Sequence, residues 1–200
     1  MLRAGLTGGI ACGKSAVAAM LRECGCAVLD ADALAHELIE PGRPAFAEIV
    51  REFGPGVLEP GGRIDRAKLG AIVFADAEKL SRLNRIVHPR VFEELERRLA
   101  ELARPGGPQV AVVEAALLIE TGYDHELDRL IVVWCRPEQQ RERLAARGLG
   151  PEQAESRIAA QMPMEEKRRR ATDEIDASGS LTETRQQVER LAAKLKQAAA

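Results

Sequence analysis

Apolar positions along the chain alternate between two periods, short continuous runs and stripes at helical spacing. Residues 2–6 form a short, mostly apolar run that predicts a buried strand, and residues 16–21, after a glycine-rich stretch, are rich in helix formers. Cys26-Ala27-Val28-Leu29 predicts a second strand ending at Asp30-Ala31-Asp32, and residues 33–38 predict a helix that Pro41-Gly42 breaks. Residues 45–53 and 66–74 read as two further helical pieces around the turn-rich segment 54–62. In the long helical stretch 77–103, Leu80, Leu83, Ile86 and Val87 recur at helical spacing, and Pro89 is expected to bend it or divide it in two. Arg104-Pro105-Gly106-Gly107-Pro108 is a loop.

The second half repeats the alternation. Residues 110–113 predict a buried strand ending in Glu114, and residues 130–135 another. Pro137 suits the first turn of a helix carrying Arg141, Arg143 and Arg147. Residues 148–172 are strongly charged, and the run Lys167 to Arg170 reads as a solvated face. Glu174-Ile175-Asp176 predicts a last short strand, and Val188, Leu191 and Leu195 form one stripe of a final helix that should pack on the sheet. Strands alternating with helices imply an α/β fold, a mostly parallel sheet covered on both faces, whose ligands gather at the carboxyl ends of the strands. That rule singles out Gly8 to Ser15, Asp30, Asp32 and Glu114. The helical material between residues 33 and 103 exceeds what one crossover needs, so it is expected to form a separate lobe for a second substrate.

The chemistry is concentrated in Gly8-Gly9-Ile10-Ala11-Cys12-Gly13-Lys14-Ser15, which fits the phosphate-loop pattern of Gly, four residues, then Gly-Lys-Ser/Thr. Strand, glycine loop and helix start come in the order this motif requires. Glycines let successive N–H groups turn inward toward an anion, and the helix starting near Lys14 adds the positive end of its dipole. Lys14 offers an ammonium to the β and γ phosphates, and the Ser15 hydroxyl can ligand Mg²⁺. The bland alternative is a glycine turn without a ligand. Asp32 has two readings: a carboxylate that orients an acceptor hydroxyl and takes its proton, or a helix N-cap that Asp30 or Asp32 would provide. Glu114 is either the acidic residue of a magnesium site or a plain strand-end carboxylate.

Composition narrows the setting. The 200 residues are 46% hydrophobic, 30% charged and only 3% aromatic, so the core must be built from aliphatic side chains. With 29 basic and 31 acidic residues the formal charge is −2, which offers no global pull toward nucleic acid. No apolar run approaches the ~20 residues of a membrane span. The phosphate strand starts at residue 2, leaving no room for a signal peptide. Four cysteines, Cys12, Cys24, Cys26 and Cys135, show neither metal spacing nor a disulfide framework, so reduced thiols in a cytoplasm are expected.

Taken together, the motifs resemble the dephospho-CoA kinase family along essentially the whole chain. The resemblance rests on Leu6-Thr7-Gly8-Gly9-Ile10 continuing to Gly13-Lys14-Ser15, then Asp30-Ala31-Asp32 with Ala35-His36, His88-Pro89, and Leu117-Leu118-Ile119-Glu120. Gln139 with Arg143 and Arg147, Ala159-Ala160-Gln161-Met162, and Ile175-Asp176 with Ser178-Gly179 complete it. It implies a P-loop-type kinase domain with its core at residues 1–32, 108–147 and 172–200. A helical substrate-binding insert at about 33–107 and a lid at about 148–171 would complete the domain. The implied reaction moves the γ-phosphoryl group of ATP to the 3′-hydroxyl of the dephospho-CoA ribose, with Mg²⁺. By the same resemblance Asp32 is the base, with Lys14, Arg143 and Arg147 also catalytic. Gly9, Ile10, Ala11, Cys12, Gly13, Lys14, Ser15 and Ala16 would hold ATP. Thr7, Asp32 and His88 would meet the acceptor, and Ser15 and Glu114 the metal. For Arg143 and Arg147 the alternative is a solvated helix face paired with Glu138 or Glu142, and for His88 a structural role. The implied partners are dephospho-CoA and ATP alone, without nucleic acid or membrane, for a monomer or weak homo-oligomer. A nucleoside monophosphate-type kinase and a nucleotide-dependent switch or motor are the competing readings.

The chain departs from the family's pattern in three places. Ala11-Cys12 stands where the family usually has Gly-Ser, and phosphate binding survives this if Ala11 keeps a negative φ. Cys12 then lies near a helix N-terminus and Lys14, a setting for a reactive thiol that ATP would shield, the alternative being a small side chain that the loop tolerates. Ala177 replaces an asparagine, leaving adenine to backbone and packing, and Ala116 replaces a proline before Leu-Leu, which bears on the loop there.

Overall fold

The apolar run at the N-terminus becomes β1 (Leu2–Gly8), and every other strand is placed relative to it. The computed structural model describes residues 1–200, the side chain of Phe74 excepted. β2 (Ala27–Asp30), β3 (Val110–Glu114), β4 (Arg129–Trp134) and β5 (Asp173–Asp176) complete a parallel sheet in the order β2-β3-β1-β4-β5. β1 is central because its alternating side chains are buried on both faces, as a parallel sheet between helical layers demands. Leu6 pairs with Glu114 and Asp30 with Glu114, so the ends of β1, β3 and β2 lie in register.

α1 (Lys14–Glu23) and α9 (Leu181–Ala198) pack on each other over one face of this sheet. Val17, Ala18 and Leu21 of α1 meet Val188, Leu191 and Leu195 of α9 above Leu6, Val112, Ile131, Val133 and Ile175. The stripe read from the final helix therefore faces the sheet. Ser180 caps α9 and Glu183 reciprocates, the capping-box arrangement. α6 (Pro137–Ala146), α7 (Pro151–Ala159) and α8 (Met164–Arg170) follow β4 in sequence, and Pro137 occupies the first turn of α6.

Between β2 and β3 come α2 (Ala31–Leu38), α3 (Pro44–Phe53), α4 (Arg66–Phe74) and α5 (Ala77–Leu102). The chain divides into two compact units, Met1–Asp30 with Leu99–Ala200, and Ala31–Arg98. The second has its own core of Ala45, Ile49, Val57, Ile64, Leu69 and Val73, with Leu80, Leu83, Ile86 and Val87 packed against it. Pro89 does not divide the long helix: α5 runs unbroken through it, with Val91, Leu95 and Leu99 on a buried stripe. Burial of that stripe outweighs the one backbone hydrogen bond that the proline lacks. The helix after β2 also starts earlier than residue 33. It begins at Ala31, so Asp32 lies in its first turn, which removes Asp32 as an N-cap. No helix among the described residues is long and apolar enough to cross a membrane.

A Cβ at Gly8 would stand 2.1 Å from the Val133 carbonyl oxygen, backbone that cannot step aside while β1 pairs with β4. Gly8→Ala is therefore expected to cost about 3 kcal/mol in urea unfolding; a variant as stable as the parent would show that this approach is not tight.

Candidate active site

The loop after β1 is built from turns that leave several of its amides without a protein acceptor. Cys12 N–H donates to the Gly9 carbonyl at 3.2 Å, and the Gly13 carbonyl takes the amides of Ala16 and Val17. Gly13 sits at φ 99°, a left-handed conformation that glycine adopts without steric cost, and it precedes the first residue of α1. The main-chain amides of Ala11, Gly13, Lys14 and Ser15 donate to no protein acceptor among the described residues. They lie at the positive end of α1, where unpaired amides suit an anion. Lys14, Ser15 and Ala16 form the first turn of α1, with the Ser15 side chain exposed.

Ala11 does not keep a negative φ; it stands at +60°. Such a conformation costs an L-residue about 1–2 kcal/mol. What holds it is tertiary. The Ala11 methyl is buried with Leu144 of α6 and Ala154 of α7, and Arg143 Nη1 donates to the Ala11 carbonyl at 3.2 Å. The rest of the loop is braced from the same side. Gln140 Nε2 donates to the Ile10 carbonyl at 2.7 Å, and Ile10 N–H donates to Gln161 Oε1 at 2.7 Å. Arg143 Nη2 also donates to the Ala177 carbonyl at 3.0 Å, so one guanidinium joins the phosphate loop to the turn after β5. Neither Arg143 nor Arg147 pairs with Glu138 or Glu142 among the described residues. Arg147 is exposed at the C-terminal end of α6 with no side-chain partner among them.

The charge run at residues 167–170 is a solvated face only in part: Arg169 and Arg170 are exposed, but its first member is not. Lys167 is fully buried, its Nζ 2.8 Å from Glu120 Oε1 and 2.9 Å from the Ala116 carbonyl oxygen. The Ala116 carbonyl also accepts from the buried Thr7 hydroxyl at 3.2 Å. Glu120 Oε1 accepts in addition from Met162 N–H at 3.0 Å. One ammonium thus ties the end of β1, the loop after β3 and the segment leading into α8. Burial pushes the Lys167 pKa down, against the support of Glu120. Arg168 lies 4.2 Å over the Trp134 ring and pairs with Glu174, and Arg170 pairs with Asp124. The sequence marks Lys167 only as part of a charge run, Cys135 only as a reduced thiol and Gln161 only within a family-like stretch, and it gives Gln140 no signal.

Cys12 is 1% exposed, already shielded by the protein itself before any nucleotide binds. The Cys135 thiol donates to Cys12 Sγ at 3.4 Å. That donor outweighs burial, and with Lys14 and Arg143 nearby the Cys12 pKa falls to about 7. The Cys135 thiol, facing the Cys12 sulfur, is pushed up. All four cysteines are free.

Asp30 ends β2 opposite Glu114, which is buried at the end of β3. Asp32 is exposed in the first turn of α2, where a carboxylate complements the helix dipole. His88 lies in α5, stacked on Phe92 with ring centroids 6.0 Å apart, and burial lowers its pKa. No cluster of three or more His, Cys, Asp or Glu side chains suited to a metal occurs among the described residues. One hydroxyl and one carboxylate, Ser15 and Glu114, are hard oxygen donors that suit Mg²⁺, which takes its remaining ligands from phosphate and water.

A family model described as dephospho-CoA kinase matches residues 2–183. A dephospho-CoA kinase from Symbiobacterium thermophilum is 55% identical over 186 residues, 92% of this chain and 77% of that protein. Another from Geobacter sulfurreducens is 49% identical over 191 residues, 95% and 96% of the two chains. Among solved structures, a Thermus thermophilus protein superposes with a TM-score of 0.82 at 36% identity, covering 96% of this chain and 97% of that one. The dephospho-CoA kinase of Campylobacter jejuni superposes with a TM-score of 0.74 at 26% identity, covering 99% and 98%. A shikimate kinase from Bacteroides thetaiotaomicron, at 16% identity and a TM-score of 0.51, shares the fold.

Two stability measurements check this geometry. Lys167→Met should cost about 3 kcal/mol by stranding Glu120, and adding Glu120→Gln should recover at least half of that loss; additive losses would mean that the two charges are not coupled. Ala11→Gly should change stability by less than about 1 kcal/mol, because relief of the left-handed φ offsets the buried methyl it removes, and a loss of about 2 kcal/mol or more would show that Ala11 is not strained.

Proposed function

The chain belongs to the dephospho-CoA kinase family and is an ATP-dependent kinase of the phosphate-loop fold; we propose how its residues divide the transfer of the γ-phosphoryl group to the 3′-hydroxyl of dephospho-CoA. The observation that carries this reading is the set of main-chain amides of Ala11, Gly13, Lys14 and Ser15 left without a protein acceptor at the start of α1. Those amides hold the β and γ phosphates, and Lys14 follows the γ-phosphoryl group as its charge spreads over three equatorial oxygens. Residues Gly9 to Ala16 form the ATP site. Adenine recognition rests on backbone and packing near Ala177, whose carbonyl is already tied to Arg143.

Asp32 is the base. It follows the end of β2 by two residues in the chain, and ligands of parallel α/β folds gather at the carboxyl ends of the strands. Its carboxylate orients the ribose alcohol and takes its proton as the new P–O bond forms. Arg147, exposed and without a protein partner, is the group available to approach the transferring phosphoryl. Arg143 acts chiefly through the Ala11 carbonyl that it holds, so it is a positioning residue first. Ser15 and Glu114 would hold Mg²⁺, which when bound neutralises phosphate charge. Thr7 serves the acceptor side only through the Ala116 loop, because its hydroxyl is buried there. His88 and the helical insert at about 33–107 hold dephospho-CoA, and residues 148–171 form the lid over ATP. The enzyme works in the cytoplasm as a monomer or weak homo-oligomer, without nucleic acid or membrane.

A coupled assay with MgATP and dephospho-CoA tests the assignment. Asp32→Asn should lower kcat by about 10³-fold with ATP affinity little changed, and an undiminished kcat removes Asp32 as the base. Arg147→Ala should lower kcat by about 10²-fold with ATP affinity nearly intact, whereas Arg143→Ala should weaken ATP binding as well. Equal effects on both constants in the two variants would erase that distinction.

A further inference from the structure

Nothing in the phosphoryl transfer calls for a sulfur atom, yet two buried thiols meet inside the nucleotide loop. Cys12 belongs to the loop, and Cys135 follows β4, the strand paired with the end of β1. Their sulfurs are 3.4 Å apart, with the Cys135 thiol aimed at Cys12, and both side chains are buried. The other cysteines, Cys24 and Cys26, lie beyond the opposite end of α1. A ten-residue helix puts them about 15 Å away.

We propose that Cys12 and Cys135 form a modification site, a dithiol that hydrogen peroxide converts into a disulfide that disables the phosphate loop. The Cys12 thiolate attacks one peroxide oxygen, an S–O bond forms, the O–O bond breaks, and the departing hydroxide leaves as water after taking a proton. Cys135 sulfur then attacks the Cys12 sulfenic acid, the S–O bond breaks, and the thiol proton leaves with the hydroxide as a second water. The dithiol loses two electrons and the peroxide gains them. The two sulfurs need to close from 3.4 Å to about 2.05 Å, a movement of little more than 1 Å. That movement draws Cys12 toward the end of β4 and turns the neighbouring amides of Gly13 and Lys14 off their shared focus. A Cys12 pKa of about 7 keeps a large thiolate fraction at neutral pH, which suits it as the attacking sulfur. A triphosphate seated on the same amides holds them in place and brings negative charge beside that thiolate, so MgATP protects the pair.

The experiment exposes the full-length protein to hydrogen peroxide with and without MgATP, then combines non-reducing peptide mass mapping with ATP titration. The expected product is a Cys12–Cys135 cross-linked peptide lacking two hydrogens, formed more slowly with MgATP. ATP affinity should fall about tenfold or more and return after treatment with dithiothreitol. Cys135→Ala should keep the basal kinase activity but lose the reversibility, because its Cys12 sulfenic acid has no resolving thiol and proceeds to the sulfinic acid. Cross-linking confined to Cys24 and Cys26, a Cys12–Cys135 disulfide that leaves ATP affinity unchanged, or full recovery of the oxidised Cys135→Ala variant would each overturn the proposal.

Discussion

A triphosphate brings several negative charges close together, and main-chain amides can meet them only if they stay where they are. That constraint governs the architecture around residues 9–15. The loop cannot hold itself: its internal hydrogen bonds are few, and one of its residues, Ala11, sits in a conformation that costs energy. Its rigidity comes from outside, through Gln140 and Arg143 of α6, Gln161 after α7, and the apolar contact of Ala11 with Leu144 and Ala154. A preorganised anion site of this kind needs no reorganisation when charge develops on the transferring group.

The same bracing links the loop to the segment between α7 and α8. Gln161 reaches the loop from the segment between α7 and α8, and the adjacent Met162 amide is fixed by Glu120, which is in turn paired with the buried Lys167. A buried ion pair of this sort contributes little net stability, but removing either partner leaves a charge without compensation. Its effect is to fix geometry. The Ala116 carbonyl, shared by Lys167 and Thr7, carries that geometry to the end of the central strand. Ala116 therefore serves through its backbone, which explains how the loop tolerates the absence of a proline there.

Much of this was legible in the residue pattern. Strand positions, the phosphate loop and the buried stripe of α9 all follow from local signals: apolar runs, glycine spacing and helical periodicity. What escaped was set by distant contacts. A run of four basic residues carries no mark that its first member is wholly buried, since Glu120 lies 47 positions earlier in the chain. The left-handed φ of Ala11 is imposed by α6 and α7, and no local preference announces it. Pro89 stays within one helix because burial of Val91, Leu95 and Leu99 outweighs a local breaker. The roles of Asp32, Arg143, Arg147 and His88 came from resemblance to the family, because spacing alone left each with a structural alternative.

The central claim, that fixed backbone amides at the start of α1 hold the triphosphate, is tested most directly by following amide nitrogen and proton resonances during titration with MgATP. The account predicts the largest shifts at Ala11, Gly13, Lys14 and Ser15, with the Ile10 amide moving as its tie to Gln161 adjusts. Shifts concentrated elsewhere, with these amides unmoved at saturating nucleotide, would contradict it.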